Sequence, residues 1–190
     1  TMPYYAHELP QRKYDPDKAR FYLKKAGFDR LAVKLHAGDV FPDAVDAAVL
    51  YREHAAKAGI DIDVVREPVD GYWSNVWMKK PWVMVYWGAR PTPDMMFSVI
   101  YSRESPWNDT HWDHERFNKL LVEARAEVDD VERRELYVEM QRIVRDEGGS
   151  VIPLFNNHVY ARRSNVRHGE HLASNRALDG HKAIERWWFA

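Results

Sequence analysis

Three groups of side chains in this chain have types and spacings that could do chemistry. His111-Trp112-Asp113-His114 puts two imidazoles and a carboxylate within four positions, a donor set that could hold a divalent cation for hydrolysis. The spacing is not the i, i+4 pair of an H-E-x-x-H helix, and Asp113 and Glu115 also suit the start of a helix. Trp87, Arg90 and Asp94 lie in and just before G-A-R-P-T-P-D (88–94), which joins an indole, a guanidinium fork suited to carboxylate or phosphate, and a carboxylate. Asn156-Asn157-His158 interrupts an apolar stretch with three hydrogen-bonding side chains, either as an exposed bulge or as the lining of a cleft.

Other chemistries lack their parts. There is no cysteine, which excludes disulfides, thiolate catalysis and Cys-ligated metal. No G-x-S-x-G elbow, G-x-G-x-x-G turn or G-x-x-x-x-G-K-[ST] loop occurs. The pairs Asp61/Asp63 and Asp129/Asp130 fall on a strand face and at a helix end, where solvent accounts for them. The sequence supplies no nucleophile–base pair from which to argue an enzyme, and no motif that calls for a cofactor. A net charge of -1 argues against a general affinity for nucleic acid, and no apolar run has the length of a membrane span. Eight Trp and ten Tyr in 190 residues are enough to fill a core or to line a binding cleft.

Secondary structure must position these groups. Trp82 to Trp87 is a continuous apolar run between Pro81 and Gly88, the pattern of a short strand buried on both faces. Its exit into a stiff Gly/Pro loop would place Trp87, Arg90 and Asp94 beyond a strand's carboxyl end, where ligands meet open α/β sheets. Trp87 is then either core or the wall of a site. Upstream, Asp15 and Pro16 open a helix with the stripe Ala19, Tyr22, Leu23, Ala26, stopped by Gly27. Leu31–His36 and Ile60–Val65 read as strands, with a helix to about Lys57 between them. That order predicts a parallel α/β sheet. Tyr72–Lys79 reads as a short helix, and Met95–Tyr101 as one or two helical turns. A helix opened by Asp113 or a neighbour buries Phe117, Leu120, Leu121, Ala124 and Val128. A second runs from Asp129-Asp130 to about Glu147, burying Leu136, Met140, Ile143 and Val144, and the short link makes the two an antiparallel pair. Val151–Ala161 reads as an edge or bulged strand around Pro153, and Ala183–Phe189 as a final strand.

Y-D-P-D-K-A-R-F-Y-L-K-K-A-G-F at 14–28 resembles a signature of the oligopeptide/dipeptide/nickel-binding family of ABC-transporter solute-binding proteins. The residues downstream keep that family's order: a helix ending A-x-x-G-I, Tyr86-Trp87-Gly88 with a Pro-Asp loop, F-N-x-L-L, R-R-x-L-Y-x-x-M-Q and V-I-P-L-F. The resemblance covers roughly residues 14 to 165. It implies one lobe of a two-lobed periplasmic-binding-protein fold, α/β with a mostly parallel sheet flanked by helices and an antiparallel helix pair. Residues 1–13 would be an extended opening segment, 14–166 an incomplete ligand-binding lobe, and 167–190 a tail returning toward the other lobe. The chain would be a C-terminal part of a longer periplasmic or lipid-anchored receptor. Its implied partners are a small-molecule or peptide solute, an ABC permease and the N-terminal lobe of the same protein, with no nucleic acid and no membrane span. The implied ligand-binding residues are Trp87, Arg90, Asp94, Asn156 and His158. One departure stands out: peptide binders of the family often carry G-W-x-x-D, whose acid meets the ligand's amino group, whereas Arg90 stands there here. A cation repels an ammonium group, so Arg90 either meets an anionic group of the ligand or only orders its loop; the alternative partner for an amine is the Asp94 carboxylate, from elsewhere in the loop. The alternative functions are a metal-dependent hydrolase using His111, Asp113 and His114, or a non-catalytic interaction module.

Overall fold

The computed structural model describes residues 2–173 and 176–190. Ser174 and Asn175, within the predicted tail, lie outside the described residues, as does Thr1. The chain forms two compact units: Pro10–Trp87, and Thr1–Leu9 together with Gly88–Ala190. Among the described residues no helix is long and apolar enough to cross a membrane.

In the unit 10–87, α1 (Pro16–Lys25) begins as its residue types demand. The Asp15 carboxylate accepts from the Lys18 N–H at 2.9 Å, and Pro16 occupies the first turn. Past its end Gly27 takes φ +88°, a left-handed conformation that glycine adopts without cost. Of the predicted stripe Leu23 is buried while Tyr22 is exposed. The helix is tied down by polar contacts instead: the Tyr14 hydroxyl donates to His54 O at 3.0 Å and Arg20 to Lys57 O at 2.6 Å.

The strands β1 (Leu31–Ala37) and β2 (Ile60–Arg66) pair in parallel from Leu31↔Ile60 to Ala37↔Arg66. The connecting helix α2 (Ala44–Ala56) packs Val45 and Ala48 on Leu35, Ala37 and Ile62. Its alanines let helix and sheet approach closely, and each large apolar side chain buried there contributes roughly 1.5–3 kcal/mol. A single-turn helix α3 (Tyr72–Asn75) comes next, with Tyr72 fully buried.

The run 82–87 differs from the prediction. Only Val83 joins the sheet, through one parallel bridge to His36, and residues 82–87 are half-buried or exposed. A strand is covered on both faces only inside a wider sheet, and among the described residues no strand pairs on its far side.

In the second unit α4 (Pro93–Ile100) is capped by the Thr92 hydroxyl, which accepts from Met95 N–H at 3.3 Å. The helices α5 (Glu115–Ala126) and α6 (Asp130–Glu147) are antiparallel: His114, at the start of α5, lies 3.3 Å from Glu147 at the end of α6. Phe97, Phe117, Leu120, Leu121, Ala124 and Met140 form their core. Val128 is 89% exposed, because the chain leaves α5 at Glu127 in extended conformation. On α6 the buried positions are Tyr137, Val138 and Met140, while Leu136, Ile143 and Val144 are half-buried. A further partner shifts the buried face: the Tyr4 ring stacks on Tyr137 with centroids 5.2 Å apart. Residues 2–9 are pinned there by the Tyr4 hydroxyl donating to Asp130 at 2.6 Å. Gln141 adds a two-way amide clamp, accepting from Ala6 N–H at 3.0 Å and donating to Tyr4 O at 2.8 Å.

Residues 151–161 form no strand, and all are exposed, with Phe155 at 89% and Val159 at 91%. Strand structure needs a partner for its N–H and C=O groups, and Pro153 has no N–H to offer. The predicted final strand is instead a helical turn, Ala183–Arg186, then β4 (Trp188–Phe189), which pairs antiparallel with β3 (Val166–Arg167).

Candidate functional site

Trp87 closes the unit 10–87 within a row of rings. Its indole lies 6.3 Å from Trp77, edge to face. Trp77 meets Trp73 at 5.9 Å, Trp73 meets Tyr86 at 5.8 Å, and Tyr86 meets Phe41 at 5.9 Å, all at steep interplanar angles. Edge-to-face contact sets the positive rim of one ring against the negative face of the next, so the row is self-supporting. Trp73 is 44% exposed and Tyr86 53%, so the row presents aromatic surface able to stack on apolar groups or attract a cation.

Under this wall lies a polar cluster. The buried Tyr72 hydroxyl donates to Met84 O at 2.8 Å and His36 O at 3.2 Å. Its pKa is pushed up to about 12, first by burial and then by the negative charge of Glu67. His36 Nδ1 lies 2.6 Å from the Glu67 carboxylate, with both side chains mostly buried.

Arg90 and Asp94 open the second unit. Arg90 folds back over its own loop, donating from Nη1 to Gly88 O at 2.6 Å. Asp94 sits in the first turn of α4, where the N-terminal dipole favours an acid, and accepts from Arg125 Nε at 2.7 Å. Arg125 also reaches Ser98 Oγ. Asn156 and His158 are exposed within 151–161. The structure thus groups Arg90 and Asp94 on one short stretch of the second unit, gives Trp87 an aromatic setting in the first, and leaves Asn156 and His158 on an open segment.

Of the His111, Asp113, His114 group, the last two are committed to structure. His114 is the N-cap of α5: its Nδ1 accepts from Phe117 N–H at 3.2 Å, so the proton resides on Nε2, which faces Glu147. Asp113 accepts from Arg103 Nε and Asn118 Nδ2, each at 2.9 Å. Among the described residues no three His, Asp or Glu side chains are placed to hold a metal ion.

The family described as bacterial extracellular solute-binding proteins, family 5 Middle, matches residues 1–109. The chain belongs to this family. It is 29% identical over 162 residues to a dipeptide-binding protein of Escherichia coli, covering 80% of this chain and 30% of that protein. It is 28% identical over 180 residues to a di/tripeptide-binding protein of Pseudomonas aeruginosa, covering 88% of this chain and 32% of that one. In fold it is similar to the periplasmic binding protein DppA of Helicobacter pylori in complex with the peptide STSA, with TM-score 0.68, 21% identity and coverage of 78% and 30%. It is also similar to NikZ of Campylobacter jejuni in complex with Ni(L-His), with TM-score 0.64, 24% identity and coverage of 73% and 32%. The chain therefore spans about a third of the length of these proteins.

Sequence reasoning missed Trp73, Trp77 and Tyr86 as companions of Trp87, although the aromatic density of 72–87 was a usable signal. The pairing of His36 with Glu67 had none: it comes from the β1–β2 register, which sets Ala37 beside Arg66 and brings Glu67 one step past the strand end.

Proposed function

We propose that this chain is part of the solute-binding component of an ABC importer, which captures a peptide-like or other small solute without transforming it. The family match over residues 1–109 carries this reading, and two relatives bear the names dipeptide- and di/tripeptide-binding protein. Residues 14–166 would act as one wall of a cleft, 167–190 as the tail returning to an N-terminal lobe, and the receptor would work in the periplasm or at the cell surface beside its permease. Lobe closure would trap the ligand by a hinge. Trp87 supplies an apolar or stacking wall, continued by Trp73 and Tyr86. Arg90 meets an anionic group, and Asn156 and His158 donate or accept hydrogen bonds. Asp94 serves mainly to hold Arg125. The hydrolase reading is not favoured, because the ring nitrogens of His114 are engaged as a helix cap and beside Glu147.

Alanyl-alanine and its C-terminal amide serve as calorimetric probes of the full-length protein. The wild type is expected to prefer the free carboxylate, and Arg90→Ala to lose that preference, by about 10- to 100-fold, as befits one charge-assisted hydrogen bond of roughly 1.5–3 kcal/mol. A variant that keeps the full preference would leave Arg90 as a loop-ordering residue only. Binding of neither probe by the wild type would reject a dipeptide ligand.

A further inference from the structure

We infer that His36, Glu67 and Tyr72 form a clasp that positions the aromatic wall, a role in ligand capture that rests on reading Trp87 as part of the ligand site. The stretch that carries the wall is held to the sheet at one residue. His36 N–H donates to Trp82 O at 3.0 Å, and Met84 N–H donates to His36 O at 2.8 Å. No further ladder pairing occurs before Trp87. The wall therefore inherits its placement from the backbone of His36 and from whatever fixes Met84.

Tyr72 fixes both. Its single hydroxyl proton is shared between His36 O and Met84 O, so one side chain joins the end of β1 to the last anchored residue of the wall segment. The same ring lies 5.7 Å from Trp73, the middle member of the row, and so also meets the wall directly. His36 is held in turn by its side chain, through the 2.6 Å contact of Nδ1 with Glu67. Glu67 is held by its backbone, with its N–H donating to Ala37 O at 2.9 Å. The ring of Tyr72 has no slack: a Cβ at Gly38 would sit 2.8 Å from Tyr72 Cδ2 and 2.9 Å from Glu67 O.

The choice of polar groups supports positioning rather than simple packing. A phenylalanine would fill the same space, and a buried hydroxyl or carboxylate is unfavourable unless its hydrogen bonds are made. Here all three side chains make them, and each bond ends on the sheet edge or the wall segment. A satisfied buried network selects one geometry over its neighbours.

Amide hydrogen exchange and near-ultraviolet circular dichroism of the full-length protein test this. Tyr72→Phe keeps the ring and deletes the hydroxyl. It is expected to leave far-ultraviolet dichroism unchanged, to speed exchange at the Met84 amide about tenfold, and to weaken the tryptophan dichroism of the coupled rings. Glu67→Ala should do the same, while Glu67→Gln, whose amide oxygen still accepts from His36 Nδ1–H, should restore most of the protection. A purely space-filling role predicts no loss in Tyr72→Phe and no rescue by Gln. Wild-type exchange at Met84 in Tyr72→Phe overturns the clasp, and so does equal loss in the Gln and Ala variants. If Met84 loosens while affinity for alanyl-alanine is unchanged, the clasp stands and the reading of Trp87 as a ligand wall falls.

Discussion

At Gly38 one methyl group meets a buried ring and a carbonyl at under 3.0 Å, and neither can swing aside. Gly38→Ala is therefore expected to cost about 1–3 kcal/mol, seen as a lower urea midpoint at unchanged slope. Gly169→Ala, with nothing within 4 Å of the added carbon, is the control and should stay within about 0.5 kcal/mol of wild type. Tyr72 predicts an alkaline limit. Its folded pKa of about 12 stands above the ordinary 10.0, so between these values the unfolded chain loses a proton that the folded chain keeps. Stability from this group is complete below pH 10 and declines from there through pH 12, by roughly 1.4 kcal/mol per pH unit. Urea unfolding at about pH 9, 10 and 11 should show the decline in the wild type and a shallower one in Tyr72→Phe, where Tyr51, Tyr101 and Tyr137, also raised by burial, still contribute.

Among the elements, α6 depends on a cap that its sequence announces. The Asp129 carboxylate accepts from Val131 N–H at 2.9 Å and Glu132 N–H at 3.0 Å. Asp129→Ala should cost about 1 kcal/mol in thermal unfolding, and Asp129→Asn much less, since an amide oxygen still accepts. Such caps were legible because they are local: Asp15, Pro16, Gly27 and Asp129 lie within a few residues of what they satisfy. The pair β1 and β2 was legible from alternation and from the helix between them. The run 82–87 was not, because a continuous apolar stretch is equally the signature of a covered strand and of an aromatic wall. The buried face of α6 was misread for a related reason, since Tyr137 is covered by Tyr4, more than a hundred residues away in sequence. Val151–Ala161 shows that apolar composition alone makes no strand.

For the molecule as a whole, what could be read was the order of elements, which led to the family, and the presence of a tryptophan just before the Gly/Pro loop. What could not be read was how the rings 41, 73, 77, 86 and 87 meet, or that His36 reaches Glu67, since both need the register of a fold already formed. The path of the chain has its own consequence. Residues 2–9 are moored to α6 by Tyr4, Ala6 and Glu8, the last through a 3.0 Å ion pair with Arg134. The stretch 10–87 is thus a continuous segment of chain inserted between residues 9 and 88 of the other unit, joined to it covalently at two points. A protease that severs the peptide at 87–88 cuts only one of those two joins. The segment 10–87 would stay attached through residues 2–9, and a denaturing gel would reveal two pieces where a native one shows a single species.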